Sequence, residues 1–163
     1  MTPGEVADLL EMSGQAFAST LDALTPEIAS WHPAPGEWCV NEVVGHVIEA
    51  EKRGFEGRIR QVLEVHEPKL LDWDSMAVSQ SRRDCDRSPG ALKGELVTQR
   101  KKSVSLVRSL ESSQLTRSGE HPRVGRLTID ELLHEWVHHD GNHLRQARPD
   151  AHAGSPWLIS LPR

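Results

Sequence analysis

The sequence predicts an all-α chain folded as an up-down four-helix bundle with an additional short helix in the 70–87 connection. Three observations carry that reading. Four stretches of about twenty residues repeat apolar positions at helical spacing, each opens on a capping signal, and no segment alternates convincingly as a half-buried strand would. At 163 residues, 37% of them hydrophobic, the chain suits one domain spanning 1–163 with a single core.

Thr2-Pro3 is an N-cap followed by proline at the first helical position, and Val6, Leu9, Leu10, Phe17, Leu21 and Leu24 then recur on one face. Helix one should end near Leu24. From Thr25 to Val40, Pro26, Pro33, Pro35 and Gly36 oppose helix, so this is read as an ordered connection anchored by Trp31 and Trp38. Asn41 is the expected cap of a second helix reaching about Val65, with Val43, Val44, Val47, Ile48, Phe55, Ile59 and Val62 inward. A short helix at Ser75 to Ser81 follows. Ser88-Pro89 opens the third long helix, which fades near Glu111. Thr128-Ile-Asp-Glu131 is a capping box that starts the fourth, expected to run to about Arg148. The tail from Pro149 is read as irregular, pinned by Trp157.

With 19 Lys+Arg against 24 Asp+Glu, the chain carries a formal charge of -5. That disfavours a nucleic-acid partner, which selects clustered basic side chains. The run Arg100-Lys101-Lys102 reads as a solvated helix face. No stretch approaches the roughly 18 apolar residues of a membrane span, and MTPGEVADLLEMSG lacks the layout of a secretory signal. The expected location is cytoplasmic. Cys39 and Cys85 are too few for a disulfide framework or a CxxC site, and in a reducing compartment they read as free thiols.

Histidine is the unusual component. Nine are present, four of them between His134 and His143. Imidazoles four residues apart share a helix face, so His134 with His138 and His139 with His143 are both candidate pairs. HEWVH is a literal match to the zinc-protease pattern, which would give His134 and His138 to the metal and Glu135 to base catalysis. Register separates the pairs. At about 100° per residue, the stripe centred on Ile129, Leu132, Leu133, Trp136, Val137 and Leu144 lies about 60° from His143 and about 100° from His139. His134 and His138 fall farther away, at about 120° and 160°, so the protease match reads as accidental.

Two imidazoles hold a divalent ion weakly, so a third ligand is needed. His32, His46, His66, His121 and His152 are available outside the fourth helix. His46 falls with Glu49, Arg53, Glu56 and Arg60 on the polar side of helix two. The ordinary amphipathic pattern makes that stripe solvent-facing, and a polar cavity within the bundle is the alternative that register leaves open.

Two segments, WHPAPGEWCVNEVVGHVIEAEKRGFEGRIRQVL and GRLTIDELLHEWVHHDGNHLRQ, resemble the two signatures of the DinB-like (damage-inducible) superfamily. The first contributes Trp38, Asn41, Glu42, His46, Glu49, Arg53 and Arg58; the second contributes His139, Asp140, His143 and Gln146. Their order and separation, with the Arg100 helix between them, extend the likeness over most of the chain. The resemblance implies a bundle of the DinB/YfiT-like type in which His46, His139 and His143 form an open metal triad. It places Glu49 and Arg53 near or behind the site. Zn, Ni or Fe suits imidazole ligands.

Relatives of this kind use mycothiol or bacillithiol, so the resemblance implies a metal-dependent transferase or hydrolase that activates a low-molecular-weight thiol or water against a small-molecule substrate. A noncatalytic metal-binding stress-response protein is the alternative, and His121 would be a closing fourth ligand in that case. Asp140 reads either as an orienting partner of a ligand or as an exposed helix carboxylate. Asn142 and Arg145 receive no role, and Trp136 reads as core. A homodimer is the expected assembly.

Overall fold

The computed structural model describes residues 1–148, so the expectations for the tail, including any role of Trp157 or His152, lie outside the described residues. Four long rods dominate. The first is α1 (Pro3–Ala23), whose cap Thr2 exchanges bonds with Glu5. A short helix α2 (Pro26–Ala29) follows. The second rod has three parts: α3 (Val40–Glu49), a π-helical segment (Ala50–Phe55) and α4 (Glu56–Glu64). After α5 (Ser75–Arg82) and a 3-10 turn at Asp84–Asp86 come α6 (Pro89–Arg108) and, later, α7 (Ile129–Gln146). The capping box at Thr128 is formed as its residue pattern predicts.

Side-chain contacts set the rod directions. Lys93 meets Asp22 and Arg108 meets Asp8, so α1 and α6 are antiparallel. The Met1 amine lies 3.4 Å from His134 and Ser13 bonds Asp140, so α1 and α7 are parallel. The second rod runs against α7, with His46 beside His143 and Phe55 stacked on Trp136, and along α6, with Lys52 on Glu95 and Ser103 on Glu56. The order is therefore up, down, down, up, a refinement of the expected bundle. Two parallel rods in succession require a connection that travels the length of the bundle, and residues 65–88 supply it.

The rods bury two apolar clusters. One gathers Val6, Leu10, Phe55, Ile59, Val107, Ile129, Leu133 and Trp136; the other gathers Phe17, Leu21, Val43, Val44, Val47, Ile48, Leu92 and Leu96. Between them along the rods sits a charged layer. Arg100 forms ion pairs with Glu51 at 2.9 Å and Asp140 at 2.6 Å, and it donates to the Leu10 carbonyl and the Ser13 hydroxyl. All four rods meet at this one guanidinium. Gly14 gives it room, since a Cβ there would lie 2.8 Å from Arg100 Cγ.

Several expectations change. Arg100 is buried, and only its neighbours Lys101 and Lys102 face solvent, because the helix turns the run across both faces. Cys39, not Asn41, is the N-cap of α3; Asn41 lies inside the helix and donates to the Arg87 carbonyl. Trp31 is exposed and anchors little, whereas Trp38 packs on the second cluster. Residues 118–128 form a hairpin, Ser118–His121 paired with Gly125–Thr128, too short for alternation to signal it. Cys39 and Cys85 are joined as a disulfide, not free, because the fold brings positions 46 residues apart together. No helix among the described residues is long and apolar enough to cross a membrane.

Replacing Arg100 by Met would leave two carboxylates buried without their cation. Urea unfolding at pH 7 should show a loss of about 3–5 kcal/mol. The same change at exposed Lys102 should stay within about 0.5 kcal/mol.

Candidate metal centre

His46 projects from α3 three residues ahead of the end of that helix, and His139 and His143 stack one turn apart on α7. The three half-buried imidazoles converge. Ring centroids lie 4.7 Å apart for His46 and His143, 4.3 Å for His139 and His143, and 5.3 Å for His46 and His139. The Nε2 atoms of His46 and His139 are 3.2 Å apart, and one ligand nitrogen from each ring falls within 4.8 Å of the others. The polar stripe of helix two therefore faces inward at His46, the alternative that helical register had left open. Among the described residues, this group contains no fourth His, Cys, Asp or Glu.

Hydrogen bonding orients the rings. His143 Nδ1 lies 2.8 Å from Gln146 Oε1, an acceptor, so Nδ1 carries the proton and Nε2 the lone pair. His139 Nδ1 lies 3.9 Å from Asp140 Oδ1, long for a hydrogen bond. Neither atom has another hydrogen-bond partner, and Asp140 Oδ2 is held by Arg100 and Ser13. Asp140 is thus a buried carboxylate behind His139, not an exposed one.

Burial pushes the His46 imidazolium down to about 3, and the charges that His143 and His139 would carry add to the effect. Burial and His139 lower His143 in the same way. Both rings are therefore neutral at pH 7, the form that binds a metal ion. Facing imidazole nitrogens, with no acid between them, fit a divalent cation.

A cleft of about 730 Å³ adjoins His46 and His139, lined also by Phe55, Arg58, Trp73 and Met76. Trp38 and Trp73 flank His46 at 4.9 and 6.0 Å, and Phe55 meets His139 edge-on. Trp73 and Met76 come from the crossover, where no periodicity marks them. Arg58 and Trp38, both part of the first signature, had a signal that could have singled them out. Arg58 Nη2 contacts the Leu71 carbonyl and the His121 ring, and its Nε is buried without a hydrogen-bond partner.

The remaining histidines lie elsewhere. His134 and His138 are exposed, bonded to the Asp130 carbonyl and to Asn142, away from the triad. His121 belongs to the hairpin beside Arg58, His32 lies near Cys85, and His66 is exposed.

Glu49 and Arg53 are bonded into an ion network that ties the crossover to the second rod and α6. Arg82 donates to Glu49, Asp84 and Glu95, while Lys52 and Arg87 also reach Glu95. Arg53 closes on Glu49 at 2.7 Å. Gly45, next to His46, admits this layer, since a Cβ there would collide with the Asp84 carboxylate.

The family model of the DinB superfamily matches residues 9–147. Among solved structures, the chain is similar to YfiT from Bacillus subtilis, described as a probable metal-dependent hydrolase with an unusual four-helix bundle topology. The two are 20% identical, the match covers 89% of this chain and 83% of that one, and the TM-score is 0.80. At that identity the likeness is one of fold. No curated protein matches the chain significantly.

The ion network predicts a pH dependence. Burial acts to raise the Glu95 carboxyl, but bonds from Arg82, Lys52 and Arg87 hold it well below the usual carboxylate range. A depressed folded-state pKa stabilises the fold above the unfolded value of about 4.3, and that stabilisation is lost as pH falls. Glu95→Gln should lower the urea midpoint at pH 7 and flatten the acid-side decline below about pH 4.3, followed by circular dichroism.

Proposed function

Since the chain belongs to the DinB superfamily, we propose that it is a metal-dependent enzyme in which His46, His139 and His143 hold a divalent cation, Zn, Ni or Fe, and a low-molecular-weight thiol or water attacks a small electrophile. The observation that carries this reading is the convergence of three imidazoles beside an open cleft. A divalent ion held this way deprotonates a thiol or lowers the pKa of a water toward neutrality.

The chain's own groups supply the rest. Gln146 keeps the proton of His143 on Nδ1, so that Nε2 presents its lone pair. Asp140 stands where it can hold the corresponding proton of His139. Trp38, Trp73 and Phe55 shield the imidazoles with apolar rings. Arg58 provides a cationic donor on the cleft wall for an oxygen that gains negative charge during attack.

The description of YfiT favours water as the nucleophile, and the thiol-using relatives implied by the signatures favour a thiol. The alternative of a noncatalytic metal-binding protein calls for a closed site, and the open cleft together with a three-residue ligand group favours catalysis. The triad lies within one chain, so pairing as a homodimer is a separate proposal that sedimentation velocity tests.

Elemental analysis of purified variants tests the ligand set. His46→Ala and His143→Ala should each lose the metal, while His134→Ala and His138→Ala should retain it. Unchanged metal in His46→Ala would remove the second rod from the site. Turnover is read as conjugation of bacillithiol or mycothiol to chlorodinitrobenzene and as hydrolysis of nitrophenyl esters. Arg58→Gln should keep the metal and lower kcat/KM by about 100-fold.

A further inference from the structure

A second cluster of metal-ligating side chains lies outside the triad. His32, Cys39, Glu42 and Cys85 each place one ligand atom within 4.8 Å of the others. Cys39 is buried at the N-terminus of α3, and Cys85 is half-buried in the 3-10 turn that follows α5. In the structure the two sulfurs are bonded to each other.

The surroundings are arranged around those sulfurs. His32 Nδ1 lies 2.8 Å from the Glu37 carbonyl oxygen, an acceptor, so that nitrogen carries the proton and Nε2 the lone pair. His32 Nε2 in turn lies 3.4 Å from Cys85 Sγ. A tetrahedral zinc ion with Zn–S of about 2.3 Å and Zn–N of about 2.05 Å has an S···N edge of about 3.5 Å. Glu42 accepts from the Cys39 amide at 3.0 Å, which holds its carboxylate beside the sulfur. A backbone carbonyl behind the imidazole is the usual support of a metal-bound histidine. Exposed His32 leaves an entry path.

We infer that reduction of the Cys39–Cys85 disulfide converts this cluster into a second zinc site, ligated by two thiolates, His32 Nε2 and the Glu42 carboxylate. The conversion balances with two low-molecular-weight thiols. The first attacks one sulfur, forms a mixed disulfide and releases the other sulfur as a thiol. The second attacks the small-molecule sulfur of that mixed disulfide, frees the remaining protein thiol and departs as the low-molecular-weight disulfide. Zinc then binds as both protein thiols lose their protons. The reverse exchange, in which the two protein thiolates reduce one low-molecular-weight disulfide to two thiols, re-forms the Cys39–Cys85 bond, removes both sulfur ligands and releases the ion, so zinc occupancy follows the thiol–disulfide balance.

The test is cobalt(II) titration of the full-length protein, oxidised and after anaerobic reduction with a phosphine, read by absorption. Reduced protein should develop a thiolate-to-cobalt charge-transfer band that oxidised protein lacks. The triad holds no sulfur, so this band reports on the second cluster whatever the triad does. Reduction should also raise the zinc content by one ion per chain, and Cys85→Ser should abolish both the band and that gain. His32→Ala, an exposed change, should weaken zinc binding while leaving the fold intact by circular dichroism. Reduced wild-type protein with no charge-transfer band, or with zinc content equal to the oxidised form, would overturn the inference.

Discussion

The Arg100 guanidinium, buried between Glu51 and Asp140, is the interaction on which the arrangement of the rods depends. A charge removed from water costs several kcal/mol and must be repaid by close partners. Here the partners come from the second rod and α7, with a carbonyl and a hydroxyl added from α1. Along α1, α6 and α7 the layer falls between residues of one apolar cluster and residues of the other. Apolar contacts alone tolerate sliding and rotation of helices, whereas one guanidinium bonded to an oxygen of each of two carboxylates accepts one register. Two carboxylates share a single cation. Burial pushes Glu51 up toward its neutral form, while Arg100 and its hydrogen bonds keep Asp140 ionised.

That layer also bears on the imidazoles. Asp140 precedes Gly141 on α7 and directly follows His139, so the side chain that anchors α7 to Arg100 sets the rotation of the helix at the triad. Glu51, the second residue of the π-helical segment and five beyond His46, anchors the second rod in the same way. The extra residue per turn in a π segment lets Glu51 reach inward while Ala50, Gly54 and Phe55 line the cleft. The crossover completes the site from outside. It is held to the rods by the Arg82 network, by the Cys39–Cys85 link and by the bridge between Lys69 and the hairpin at Glu120.

The electrostatics of the centre follow from its place in the bundle. Partial burial and mutual repulsion keep His46 and His143 neutral, and Arg58 brings positive charge to the cleft wall. One fold can host different reactions, so the proposed chemistry rests on the triad and the cleft lining rather than on the fold. The second cluster, the one that contains sulfur, stands at the start of the helix that carries His46, and Trp38, adjacent to Cys39 in sequence, packs against the His46 ring.

Local signals made much of this legible. Caps at Thr2, Ser88 and Thr128 acted through bonds within one helical turn, so their residues alone located three rods. Register on α7 placed His139 and His143 at the core border and His138 in solvent, because a helix converts sequence spacing directly into angle. The partnership of His46 with that pair could not be derived this way. It came from the family signatures, since amphipathic pattern assigns a polar stripe to solvent whether or not another helix carries polar groups to meet it. Arg100, Cys39 with Cys85, the up-down-down-up order and the contribution of Trp73 were decided by tertiary structure alone. Each depends on which distant segment packs against which, and that choice rests on the summed burial and charge pairing of the whole chain, which no local window contains.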